Sequence, residues 1–364
     1  MKLNNIIKAI ESLAPLSLQE KYDNSGLIVG SSKMEITKAI ISFDVTERVI
    51  EEAISLGANL IISHHPIIFG GIKKLNYGNY VERVVMQAIK NDIALYAAHT
   101  NLDNVIEGTN RILADKLELD NLEVLQGVDN QLFKLVVFVP SSHLEQVKTA
   151  IFEAGAGHIG NYDQCSYSTN GEGSFRALNG ANPYVGTHNK QHIESEYRLE
   201  TIFPSHIKGN VLQAMINAHP YEEVAYDIYS LEKKNKYIGA GVIGKLKNEI
   251  SEKEFLIKLK DITQAKCIRH TKLRNKTVKK VAICGGSGAF LIKNAIHSDA
   301  DIYITGDVKY HEFFDAEDKM IIADIGHYES EQFTTKLLYD FIKEKFPTFA
   351  VQISDINTNP INYL

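Results

Sequence analysis

Cysteine is scarce in this chain: Cys165, Cys267 and Cys284 are the only three among 364 residues. They are too few and too scattered for a disulfide framework or a Cys-rich zinc site, and they point to a reducing, cytoplasmic setting. Positive charge is not in excess either, with 39 Lys+Arg against 45 Asp+Glu and a formal net charge of −6. That balance gives no broad footprint for nucleic acid or an anionic membrane surface, so neither is expected as a partner. Long apolar runs are also missing, since none approaches the ~20 residues that a membrane-spanning helix needs. The opening segment sets Lys8 and Glu11 among Ile6, Ile7, Ile10 and Leu13, which reads as an amphipathic helix and not as a signal peptide. What the chain does have is histidine, 13 in all, several of them beside carboxylates at the ends of expected strands.

At ~100–200 residues per domain the length predicts two or three domains. Residues 38–66 read as strand, helix, strand: apolar Ala39 to Phe43, a helical stretch Glu47 to Leu56, then Ala58 to Ser63. Such a βαβ unit joins parallel strands. Residues 279–311 repeat the grammar, with a strand Val281 to Cys284, a glycine-rich turn Gly285-Gly-Ser-Gly288 opening a helix to about Ile296, and a strand Asp301 to Thr305. After each unit comes another short apolar strand that ends in a histidine with a carboxylate four residues later: His99 and Asp103, His327 and Glu331. The expectation is an α/β protein of two similar halves, 1–130 and 232–364, forming one metal-binding core. Residues 131–231 interrupt it with the order βαββαβ, an α+β ferredoxin-like arrangement. In that insert Tyr197 to Pro204 is an expected strand, Ala177 to Gln191 an expected mobile tip, and His219-Pro-Tyr-Glu-Glu223 a structural corner.

His64 and His65 follow an apolar strand and precede Pro66. Successive side chains on extended backbone point to opposite sides, so the pair suits one metal each, a dinuclear centre, better than one shared ion. His327 and Glu331 stand four apart at the start of a helix expected to run through Leu337, Leu338 and Phe341, where i and i+4 share a face. His99 and Asp103 repeat that spacing, although Asn101 and Asp103 also suit a helix cap. All these motifs fall at carboxyl ends of strands, where open α/β sheets place their sites. Histidine and carboxylate without thiolate suit Zn²⁺, Fe²⁺, Mn²⁺ or Co²⁺, zinc foremost. Two such ions would activate a bridging hydroxide. Two divalent ions bring +4, against −3 from Asp103, Glu331 and that hydroxide. The excess favours an anionic or phosphorylated substrate, or else another carboxylate nearby, for which Asp44 and Asp307 are available. His99 and Asp44 are the catalytic candidates.

At His64-His65-Pro66, Ala98-His99-Thr-Asn-Leu-Asp103 and His327-x-x-x-Glu331, and at Asp23-Asn-Ser-Gly-Leu-Ile-Val-Gly30 with Tyr22 before it, the whole chain resembles the Nif-three-like family, often named GTP cyclohydrolase I type 2 homologues. The resemblance implies two divalent metals held by His64, His65, Asp103, His327 and Glu331, with Glu331 bridging. It also implies a PII-like or CutA-like insert, to which His219-Pro-Tyr is similar, and assembly through trimers into a homohexamer. Two functions follow as expectations. One is a metal-dependent hydrolase of a nucleotide or other phosphorylated small molecule, GTP among them. The other is a metal-binding regulatory scaffold whose insert senses a small ligand.

Overall fold

The computed structural model describes residues 1–364. The chain forms two compact units, one of residues 1–127 with 236–364 and one of residues 128–235. No helix is long and apolar enough to cross a membrane.

The larger unit holds two sheets, their strands numbered here in chain order. The first contains β1 (Gly26–Val29), β2 (Lys38–Ser42), β3 (Leu60–Ser63), β4 (Ala94–Ala97) and β15 (Ala350–Ile353), in the spatial order β1-β4-β3-β2-β15. The second contains β5 (Leu119–Gly127), β10 (Gly239–Ser251), β11 (Arg269–His270), β12 (Thr277–Ser287), β13 (Ile302–Gly306) and β14 (Ile321–Asp324), in the order β11-β14-β13-β12-β10-β5. Strands β2, β3 and β4 are parallel, as are β12, β13 and β14. β3 and β4 are buried along their whole length, which is why they read as unbroken apolar runs instead of alternating ones. Helices Glu47–Ser55 and Tyr80–Lys90 cover the first sheet by packing Val49, Ile50, Ala53, Val84, Val85 and Ala88 against Ile40, Ile61 and Leu95. Both helices are capped at the start: Thr46 accepts from Val49 N and Asn79 from Glu82 N.

The internal repeat is visible as topology. Each sheet sets three consecutive parallel strands beside an antiparallel edge strand that precedes them in the chain, β1 beside β4 and β11 beside β14. The sequence halves nevertheless exchange strands. β5 leaves the first half to pair with β10, and β15 leaves the second half to run parallel to β2. Each of the two covers an edge that would otherwise expose unpaired backbone.

Three local expectations are corrected. Gly285 to Ser287 do not form a turn; they continue β12 through an irregular register, and the helical stretch expected after them begins as a 3₁₀ turn, Ala289–Leu291, that leads into the helix Ile292–His297. The helix expected from Gly326 to Phe341 is two, His327–Glu331 and Thr334–Lys345. In the smaller unit, β8 (Gln191–Pro204) begins six residues before the expected strand at Tyr197. The early part, Gln-His-Ile-Glu-Ser-Glu, carries no alternating apolar face and is held in the sheet by its pairing with β7 (Ser166–Arg176). The smaller unit's sheet is antiparallel in the order β7-β8-β6-β9, with β6 (Leu132–Pro140) and β9 (Tyr226–Ser230). Helices Leu144–Glu153 and Lys208–Ala218 bury Val147, Ile151, Val211 and Met215 against Leu135, Val137, Val139 and Leu199 of that sheet.

Candidate metal centre

Register builds the rim on which the site stands. Ser42, Ser63 and Ala97 lie side by side on β2, β3 and β4. The residues that follow are Phe43-Asp44, His64-His65 and Ala98-His99, so one carboxylate and three imidazoles leave the sheet at one edge. In the second sheet Ser287 lies opposite Gly306 and Thr305 opposite Asp324, which brings Asp307 and, beyond Gly326, His327 to the corresponding edge. These are the carboxyl ends of parallel strands.

Glu331 is the hub. Its Oε2 lies 3.5 Å from His64 Nε2, 3.5 Å from His65 Nε2 and 3.1 Å from His327 Nε2. Asp103 Oδ1 approaches His64 Nε2 at 3.8 Å, and the Nε2 atoms of His65 and His327 are 3.2 Å apart. Two sets of three donors share this glutamate: His64, Asp103 and Glu331, and His65, His327 and Glu331. His64, His65 and His99 form a further group. The neighbouring His64 and His65 fall into different sets, yet both reach one oxygen, because β3 ends at Ser63 and strand alternation no longer separates them.

Each ring is held from behind. Nδ1 of His64 donates to Ala98 O at 2.9 Å, while Nδ1 of His65, His99 and His327 each meets a carboxylate at 2.7 Å, on Asp44, Asp23 and Asp307 respectively. With Nδ1–H committed to these acceptors, Nε2 is the atom turned inward, and on losing its proton it offers a lone pair to a metal, the usual preparation of a metal-ligating imidazole. The inner atoms His64 Nε2, Asp103 Oδ1 and Glu331 Oε2 are buried with no hydrogen-bond partner. A buried polar group left so carries its full desolvation cost, and a cation among them satisfies all three. The donor set therefore fits a metal.

Protons respond to the same field. Burial pulls the His65 imidazole down, but Asp44 and Glu331 reverse this and raise it to about 9. Burial likewise opposes charge on His327, and Glu331 with Asp307 raises it to about 10. Burial would raise Glu331, but His64, His327 and His65 hold it well below the usual carboxylate range. Asp103 is raised, by burial and then by Glu331. The Cys284 thiol lines the same cleft and is raised by burial and by Asp103 and Glu331, so it stays a thiol and adds no thiolate donor.

The structure brings His64, His65, His99, Asp103, His327 and Glu331 together in three overlapping groups of possible metal donors. It places Asp44 on the wall of the same cleft, where its carboxylate meets His65 Nδ1 and accepts from Thr358, so that Asp44 orients the His65 ring. His311 packs against Tyr310 and Phe314. Asp23 was given no role from the sequence. Its buried carboxylate accepts from His99, Thr100 and Ser25, and despite burial these bonds hold it far below the usual range. The one local signal was its place in a polar, glycine-containing run just before β1.

The glycines of β12 make room for the hub. A Cβ at Gly285 would lie 2.7 Å from Glu331 Cγ, and one at Gly286, whose φ is +62°, would lie 2.5 Å from Glu331 Oε1. Gly286→Ala is therefore expected to cost about 1–3 kcal/mol from overpacking and left-handed strain, and to lower bound metal. Gly57→Ala is the control, since Gly57 has φ +66° with open space around it. Calorimetry with metal analysis should show strain alone there and metal loss only at Gly286.

The site opens into a cleft of about 650 Å³ whose walls include Tyr22, Phe69, Tyr80 and Phe290, and which no lysine or arginine lines. Fold and site together define a mixed α/β protein with buried histidine and carboxylate groups able to hold metal ions. The chain belongs to the Duf34/NIF3 (NGG1p interacting factor 3) family, whose model matches residues 1–360. A GTP cyclohydrolase 1 type 2 homolog of Bacillus subtilis (strain 168) is 40% identical over 364 residues, covering 99% of this chain and 98% of the relative. Among solved structures, a Bacillus cereus protein related to NIF3 is 38% identical with a TM-score of 0.86, covering 100% of this chain and 99% of that one. Staphylococcus aureus protein SA1388 is 28% identical with a TM-score of 0.79 over the same shares.

Proposed function

We propose that the chain is a metal-dependent hydrolase in which His64, Asp103 and Glu331 would hold one divalent cation and His65, His327 and the same Glu331 a second. The observation that carries this reading is Glu331 Oε2, a buried carboxylate oxygen on which the Nε2 atoms of three imidazoles converge. Histidine and carboxylate ligands suit zinc, iron, manganese or cobalt, with zinc the first to test. The chemistry that such a pair supplies is Lewis-acid polarisation of an electrophile and activation of water.

The chain's own residues set the terms of that chemistry. Asp44, Asp307 and the Ala98 carbonyl lock the ligand rings, and Phe43 backs His64 and His65, with ring centroids 5.6 and 4.6 Å away. His99, held through Nδ1 by Asp23, keeps Nε2 at the cleft wall to take or give a proton. Asp23, Asp44 and Asp307 also answer the charge count: their three carboxylates more than cover the single excess positive charge, so phosphate is not needed for neutrality. With no basic side chain on the walls and exposed Tyr22, Phe69, Tyr80 and Phe290 around the mouth, the substrate class that fits best presents a flat heterocycle to the cations, as the base of a nucleotide does. Ring opening of the kind named for the relatives lies within this chemistry.

The test is a screen of zinc-loaded protein against nucleosides, nucleotides and phosphoesters, followed by absorbance. Turnover is expected to vanish on chelation and in His65→Ala. Full turnover surviving both would overturn the reading. Asp44→Asn, which keeps the shape but weakens the hold on His65, is expected to lower metal affinity by roughly 10–100-fold. Competition with a chromogenic chelator measures this. The same proposal includes a ferredoxin-like class for the inserted unit, supported by its βαββαβ order, and a homohexamer built from trimers, which sedimentation would read as a particle of six protomers.

A further inference from the structure

The smaller unit contains a cavity of about 910 Å³ that the metal chemistry does not use. Its floor is the face of β7 and β8 that carries Glu196, Arg198 and Glu200, and its walls come from the loop after Arg176 and from the segment around Tyr221. The wall segments are tied together, since Asn182 N donates to Glu222 Oε1 at 2.8 Å.

Three features define what it would hold. The first is Glu196, only 9% exposed. Tyr221 Oη donates to its Oε1 at 2.9 Å, and its Oε2 takes no hydrogen bond. Gly173 makes room for that free oxygen, because a Cβ there would lie 2.1 Å from Oε2. The second is the surroundings: Phe175 and Tyr184 stand 6.1 and 6.2 Å from the Tyr221 ring, centroid to centroid. The third is charge. Five glutamates and two arginines line the cavity, and Arg198 is already paired with Glu200 at 2.8 Å. An anion would meet a net negative wall. A metal ion fits no better, because every group of three converging metal donors, carboxylates included, lies in the other unit.

A carboxylate with one free oxygen inside an aromatic and partly apolar chamber is instead the complement of an organic ammonium group, which gains from both the charge and the ring faces. We infer that this unit binds a small organic amine of the polyamine class, with its ammonium on Glu196 Oε2 and its methylenes along Phe175, Tyr184 and Tyr221. The His219-Pro-Tyr corner then has a purpose. His219 Nε2 donates to Phe138 O at 2.9 Å and its Nδ1 accepts from Tyr221 N at 3.1 Å, which fixes the backbone from which Tyr221 reaches Glu196.

Titration calorimetry of the full chain with spermidine at physiological ionic strength tests this. The expected result is saturable binding at one site per chain, weakened at least about tenfold by Glu196→Gln, which removes a charge-assisted hydrogen bond while keeping shape. Tyr184→Ala, at a position 50% exposed and so tolerant of change, is expected to weaken it several-fold. Metal content should be the same in both variants, which separates this site from the first. Absence of saturable binding, binding indifferent to both substitutions, or preferential binding of ATP or Zn²⁺ in this cavity would overturn the inference.

Discussion

Glu331→Ala is expected to lose both cations together, whereas Asp103→Ala is expected to lose one. The difference follows from a shared atom. Oε2 of Glu331 serves both donor sets, and without it each set keeps only two protein ligands: His64 with Asp103, and His65 with His327. Loss of outer-shell partners alone typically costs 10–100-fold in affinity, so loss of a bridging ligand should cost roughly 100-fold or more at each position. Turnover should fall to background. Removing Asp103 leaves the second set of His65, His327 and Glu331 whole. Mass spectrometry of metal per chain after dialysis reads both outcomes. One tightly held ion retained in Glu331→Ala would mean that the sets do not share their glutamate, and the bridged reading would fail. Glu331→Gln is the companion variant, because it fills the same space between Gly285, Gly286 and the rings and separates loss of charge from loss of packing.

Metal affinity is expected to climb steeply with pH. In the metal-free protein His65 and His327 hold protons up to about 9 and about 10, above the ordinary value of 6.5. A cation must displace both. Affinity should therefore rise by up to about 100-fold per pH unit below about 9, by about tenfold between 9 and 10, and then level off. Calorimetry in buffers of different ionisation heat should count the released protons at pH 7.5. Stability of the metal-free protein should move the other way. A histidine whose folded pKa is raised contributes stability that is complete below its unfolded value and lost as pH passes the folded one. The melting temperature of the metal-free form should thus fall between about pH 6.5 and 10, while the lowered pKa of Glu331 makes its own contribution disappear only under acid. A metal-free melting temperature that rises across that alkaline range would contradict the charge arrangement described for these rings.

The candidate metal donors were legible because each sits in a short local pattern. His64 and His65 end a fully buried strand, and His327 and Glu331 share a helix turn, so strand length and i,i+4 spacing sufficed. The early part of β8 was not legible, since Gln191 to Glu196 pair through backbone and carry no apolar alternation. Nor was the true use of Gly285 and Gly286. A run of glycines at a strand end resembles a turn, and only the approach of Glu331 from a distant helix shows that the missing Cβ atoms are what matters.

By itself the sequence determined the type of chemistry: histidine and carboxylate without thiolate, gathered at the carboxyl ends of α/β strands, with an insert of different grammar between them. The tertiary structure decided how those donors act. Asp23, Asp44 and Asp307 lie 76, 21 and 20 residues from the rings they orient, and Glu331 lies far along the chain from His64 and His65, so no spacing rule could join them. Exchange of β5 and β15 between the two sheets belongs to the same category. Hydrogen-bonding partners and edge pairing are set when packed sheets fix the distances between remote residues, and the same packing set more than enough carboxylate around the site to cover the excess positive charge expected there.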